Sequence, residues 1–311
     1  MLTGVAAVHL MWRACPGSAL RPDRSSMFEM LKYAVPLGVA SMVGTVTLQL
    51  DKVIVSSLCT PEAFAIYSNG AIELPLVDIV TGSLTTVVLA EMASLYAQNR
   101  QEEALDLFRK AAGRAAAILL PAMLFLLVAA RPFIETLYSS KYLESVWPFV
   151  LYLLIMPVRI VAFGAALRAA GLTRVILRRS LGELALNAVL CVVFVSWIGY
   201  LGAVVATLLT LYLYSVPFNI HAIGRGFATH WTRVLPYGEL GRIFGVGLLF
   251  LPLAVLPAHA GFLPPAVQLG LAAVLYWPAT LVLLVRTGRL PLPPQIAGLI
   301  PETMRPLIQG R

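Results

Sequence analysis

The chain has 311 residues, of which 59% are hydrophobic and 12% charged, with a mean hydropathy of +0.84 and a formal net charge of +8. Soluble domains are about 25% charged, so this composition excludes an ordinary soluble enzyme; the cations flank apolar runs instead of forming a phosphate-tracking stripe, which excludes nucleic acid as a partner. Cys15, Cys59 and Cys191 are far apart and the four histidines are scattered, so the pattern predicts free thiols, no metal site and no cofactor.

Residues 1–27 begin with an apolar run too short to cross a bilayer and without the basic start of a signal peptide. They are read as a cytoplasmic or interfacial lead-in. Apolar stretches of about 20 residues, the length that crosses the hydrocarbon core, then predict helix a over 28–50 and helix b over 64–97. A charged segment with interspersed apolar residues, 99–110, predicts a surface helix at the membrane interface. Helix c follows over 111–130, d over 146–167, e over 180–197, f over 201–221, g over 243–256 and h over 265–285. The expectation is an all-α, polytopic transmembrane helix bundle of about eight spans, ending in a proline-rich tail over 286–311.

Orientation follows from the cations. With the N-terminus inside, 19 of the 23 Lys and Arg fall on inner segments, while only Lys52, Arg131 and Lys141 fall outside and Arg159 lies within a helix. The positive-inside rule therefore predicts a multi-pass protein with both termini cytoplasmic.

A charge near mid-membrane costs about 2.5–3.5 kcal/mol on insertion scales and needs a partner or a wet cavity. Arg159 on helix d and Asp78 on helix b fall at matched depth, roughly 18–20 Å below their outer ends. Two readings stay open: a pair that locks the bundle, or a cavity in which Arg159 holds an anionic substrate. Glu73 lies nearer the outer surface and is read as solvated. Helix b carries a polar stripe of Asp78, Thr81 and Thr85. Helix a carries Ser41, Thr45, Gln49 and Lys52, and helix e adds Glu183 and Asn187. Helices f, g and h have almost nothing polar at mid-span and are read as scaffold. The sequence holds no aspartate cluster for a metal-bound nucleotide-sugar and no Ser-His-Asp arrangement, so the expectation is a non-enzymatic protein.

From Leu31 to Gly70 the chain reads LKYAVPLGVASMVGTVTLQLDKVIVSSLCTPEAFAIYSNG. Its Asp-Lys pair at 51–52, followed by Pro61, Glu62, Tyr67 and Ser68, resembles the opening of the second half of the polysaccharide and oligosaccharide-lipid flippases. That family shares a superfamily with multidrug extruders and lipid II flippases. Two further matches extend the resemblance across residues 28–221. One is Ala165 to Thr210, with Asn187, Gly199, Gly202, Ala203, Ala206 and Thr207; the other is the loop Pro132 to Ser145.

The resemblance implies a six-helix second lobe over 28–221, an additional helix pair over 222–285 and a cytoplasmic tail over 286–311. It implies a bacterial cytoplasmic (inner) membrane location and a role in cell-surface polysaccharide such as the O-antigen of lipopolysaccharide. The substrate would be an undecaprenyl-diphosphate-linked oligosaccharide among the membrane lipids. Its diphosphate would meet Arg159 and Lys52 in a cavity walled by the polar stripes. Family members have two lobes, whereas this chain carries one. The expectation is a homodimer or a separately encoded first lobe, since one lobe alone does not enclose the usual cavity. Efflux of drug cations and a non-transporting or inactive fragment are the alternatives.

Overall fold

The computed structural model describes residues 23–290. The lead-in up to residue 22 and the tail from 291 lie outside the described residues. Every regular element described is helical, and seven helices are long and apolar enough to cross a membrane, with a bent pair as an eighth span.

α1 runs from Arg24 to Leu58. Asp23 caps it, accepting hydrogen bonds from the hydroxyl and N–H groups of Ser25 and Ser26, and these donors hold its carboxyl well below the usual range. The helix continues beyond the expected end at residue 50, because no breaker intervenes before Cys59 and the Ser56 and Ser57 hydroxyls bond back to the Val53 carbonyl. The Asp51–Lys52 pair therefore sits inside the helix.

The single helix b is a correction. It is two helices, α2 (Pro61–Gly70) and α3 (Pro75–Ala97). Pro75 has no N–H to continue an upstream helix, and it forces Leu74 into an extended conformation. Gly70 is required by packing: a Cβ there would stand 2.5 Å from Pro148 Cγ and 2.6 Å from the Ser145 carbonyl oxygen. Gly70→Ala is expected to destabilise the fold by about 1–3 kcal/mol through overpacking, seen as a lower thermal midpoint in detergent.

The separate surface helix over 99–110 is also corrected. Residues 101–128 form one helix, α4 (Gln101–Val128), because alanine-rich sequence joins the two halves without a stop signal. Ala104, Leu105 and Phe108 are buried in the protein core, with Phe108 against Phe163 at 6.5 Å between ring centroids. Burial of 78% of its most apolar window makes α4 the central post of the bundle. It packs against α3 and, on another side, against the later α12. α5 (Ala130–Tyr138) and a short 3₁₀ segment follow.

Helix d is likewise broken, into α6 (Val146–Leu153), α7 (Met156–Arg159) and α8 (Phe163–Ala169), with a bend of 40°. Pro157 and the non-helical Ala162 interrupt the ladder. The Leu154 carbonyl, which bonds no backbone N–H here, accepts from the Tyr212 hydroxyl at 2.7 Å. A freed carbonyl at membrane depth needs such a donor, so the break is stabilised by a neighbouring helix.

α9 (Thr173–Ile198) packs along α1 and turns at Gly199, φ 66°, into α10 (Leu201–Leu209). A π-helical segment, Thr210–Ser215, leads into α11 (Val216–Gly226), so the sixth span is continuous but wider at its centre. α12 (Tyr237–Ala258) is a full-length span, longer than the 243–256 expected, and α13 is Pro265–Arg286. These two pack together, and the Tyr276 hydroxyl of α13 donates to the Pro121 and Gly247 carbonyls. α13 is thereby tied to α4 at the residue whose proline ring opens the ladder.

Candidate functional site

The helix breaks bring the polar groups together. Arg159, the last residue of α7, and Glu73, in the gap before α3, form an ion pair at 2.5 Å. Asp78, one turn into α3, is a second, longer partner at 3.9 Å. Both acids reach Arg159 because the chain bends at Pro75 on one side and at Ala162 on the other. Glu73 is thus no solvated bystander, as sequence position suggested; it is the closer counter-ion.

Arg159 opens onto a groove of about 430 Å³. Asp78, Thr81 and Thr85 of α3 form one wall. Arg168 of α8 and Arg179 of α9 bring two more guanidinium groups to the lining, with Ser215 and Asn219 opposite. Their charges are balanced differently. Arg179 bonds Glu183 at 2.5 Å and the Ser215 hydroxyl at 2.9 Å. Arg168 donates only from Nε to the Gly164 carbonyl and has no carboxylate within 4 Å among the described residues. Three arginines facing two paired acids and the loosely held Asp78 leave the groove able to accept an anion. A guanidinium offers planar, bidentate donation suited to phosphate oxygens.

Behind Arg159 lies a smaller, more enclosed chamber of about 200 Å³. It is lined by Thr47 and Asp51 of α1, Tyr152, Glu183 and Asn187, and Thr207 and Thr210. Asp51 is buried, accepting from the Tyr67 hydroxyl and from the Lys52 N–H. The Asn187 amide donates to Thr207 Oγ1 at 3.2 Å. Its Oδ1 and the Thr210 hydroxyl have no partner among the described residues.

Of the residues singled out in the sequence, Arg159, Asp78, Thr81 and Thr85 line the groove and Asn187 lines the chamber. Ser41, Thr45 and Gln49 lie on an exposed face of α1 away from both cavities, and Ser41 and Thr45 bond back to their own helix at Leu37 and Ser41. Lys52 lines neither. α1 instead turns Thr47, Leu48 and Asp51 inward, about one residue around the helix from the expected stripe. The sixth span also contributes, through Thr207, Thr210, Ser215 and Asn219, where sequence reasoning saw scaffold. Thr207 and Thr210, and Ser215 and Asn219, recur at helical spacing, which was the available signal. Arg168 and Arg179 were counted only as inner-loop cations. Because α9 begins at Thr173 and not near residue 180, Arg179 lies two turns inside a span.

No curated protein and no solved structure matches the chain. Residues 2–147, from upstream of α1 through the start of α6 and just under half of the chain, match the family model described as polysaccharide biosynthesis protein.

Proposed function

We propose that the chain takes part in moving a lipid-linked oligosaccharide across the membrane during polysaccharide biosynthesis, with the substrate's diphosphate held in the arginine-lined groove. The observation that carries this reading is the convergence of Arg159, Arg168 and Arg179 on one cavity, with Arg168 free of any carboxylate partner among the described residues. A cation-extruding cavity would need acids in excess of bases, and Glu73 and Glu183 are instead committed to arginines here. The role is transport without bond making or breaking, in a bacterial cytoplasmic membrane with both termini inside.

Leu48 of α1 and Asp78, Thr81 and Thr85 of α3 line the groove, and α1 carries a further exposed polar face at Ser41 and Thr45. A second lobe, provided by another copy of the chain or by a separately encoded partner, would cover these α1 and α3 faces, and the chain is not expected to act as a monomer. The test is reconstitution into liposomes with a fluorescent polyprenyl-diphosphate oligosaccharide. Mass measurement in native lipid discs reports the oligomer. Flipping by an assembly of two lobes supports the reading, and flipping by a strictly monomeric particle contradicts its two-lobe part.

Topology has its own check. Single cysteines at 141 and 176 in intact cells are expected to be labelled and protected, respectively, by a membrane-impermeant thiol reagent. The opposite pattern would invert the orientation.

A further inference from the structure

A second polar groove, of about 350 Å³, lies between the first turns of α1 and the start of α9. Its walls carry Lys32 and Tyr33 on one side and Thr173 and Arg174 on the other, with Glu29 at its rim. Neither Lys32 nor Arg174 has a carboxylate within 4 Å among the described residues, so Glu29 neutralises neither. α9 is 26 residues long and starts without a side-chain cap; the N–H groups of Thr173 and Val175 donate to the Gly171 and Leu172 carbonyls, and that of Arg174 has no acceptor among the described residues. Thr173, 3% exposed, lines the groove as well, and its hydroxyl makes no hydrogen bond among the described residues. Two unpaired cations, one free N–H and an unpartnered hydroxyl thus line one groove, a donor set suited to an anion.

The neighbouring surface indicates what carries that anion. Lys32, Val35, Val39 and Met42 recur on one stripe of α1, and the three apolar members are 55%, 41% and 72% exposed. A phosphate seated at Lys32 and Arg174 would have acyl chains running along that stripe toward mid-membrane. The groove shares no lining residue with the arginine-lined cavity, and the Tyr33 hydroxyl on its wall donates to the Arg168 carbonyl at 3.3 Å.

We propose that this groove binds the phosphate of an anionic phospholipid headgroup, holding a bilayer lipid against the α1–α9 seam. This does not depend on what the chain transports. The full-length protein would be placed in discs of equal parts phosphatidylglycerol and phosphatidylcholine, extracted into mild detergent and weighed intact to count retained lipids. Retention of phosphatidylglycerol over phosphatidylcholine is expected. In the double variant Lys32→Ala, Arg174→Ala that retention should fall roughly thirtyfold, since each surface cation contributes about 1 kcal/mol. Thr173→Val, which keeps the shape but removes the hydroxyl, should fall in the same direction, while Arg178→Ala, an exposed cation one turn further along α9, should behave as the parent. Unchanged retention in the double variant, or an equal loss in Arg178→Ala, would overturn the site. Displacement of the lipid by millimolar inorganic phosphate would assign the groove to free phosphate and overturn the lipid.

Discussion

Glu73→Ala is expected to reduce the yield of folded protein more than Asp78→Ala does. The Glu73 carboxylate lies 2.5 Å from Arg159 and that of Asp78 lies 3.9 Å away, so removing Glu73 leaves the guanidinium with only a distant counter-ion. Breaking one side of a fully buried pair costs ~3–5 kcal/mol. Here the side chains of Arg159 and Glu73 are 26% and 39% exposed, and the groove admits water. Screening lowers the expected loss to about 1–2 kcal/mol. The charge swap Glu73→Arg with Arg159→Glu should recover part of it, because the two broken helices would again be joined by opposite charges. Size-exclusion yield and the thermal midpoint of each variant check this. Equal losses for Glu73→Ala and Asp78→Ala would show that Arg159 does not prefer the nearer acid.

The second large effect is on transport, at Arg168. Among the described residues its guanidinium is held only by the Gly164 carbonyl, four residues earlier in the chain, so Arg168→Ala removes a groove cation without stranding a buried acid. Folded yield should stay near that of the parent, while transport of a diphosphate-linked substrate falls roughly tenfold or more, the scale of one lost charge-assisted contact. Arg168→Lys should retain part of the activity, as a point charge without the bidentate fork. Arg179→Ala makes the contrast. It leaves the Glu183 carboxylate inside a span with the Ser215 hydroxyl as its remaining donor and no counter-ion among the described residues, so its expected loss is mainly of folded protein. Transport measured per folded molecule separates the two.

Much of the architecture is legible in the sequence because bilayer thickness sets the length of an apolar run. The eight apolar stretches correspond to seven long helices and the bent pair α6–α8. The breaks are less legible. Hydropathy continues across Glu73 and across Ala162, so a length rule joins what Pro75 and Pro157 divide, although both prolines are visible as kink residues. The opposite error came at α4, where charged residues suggested a separate surface helix. Helix propensity across the alanine run and burial of Phe108 hold one continuous rod.

The site shows the same division. Arg159 and Asp78 stand out because a charge within an apolar run is rare and costly. Arg168 and Arg179 do not, because an arginine near a span's end reads equally as a topology signal until the helix boundaries are known. Which face of α1 turns toward the cavities is ambiguous in the sequence for a geometric reason. Successive residues are separated by about 100° around a helix, so Thr45 and Gln49 point away while Thr47, Leu48 and Asp51 turn inward.

The central claim, that the groove holds the diphosphate of a lipid-linked sugar, is tested most directly by binding. Purified full-length chain would be titrated with a short polyprenyl diphosphate, with the matching polyprenol and with a lipophilic cation, each read by change in intrinsic fluorescence or by native mass. The account predicts saturable binding of the diphosphate, weakened in Arg168→Ala, and no competition from the polyprenol. Equal affinity for the uncharged polyprenol, or tighter binding of the cation with no effect of Arg168→Ala, would contradict it.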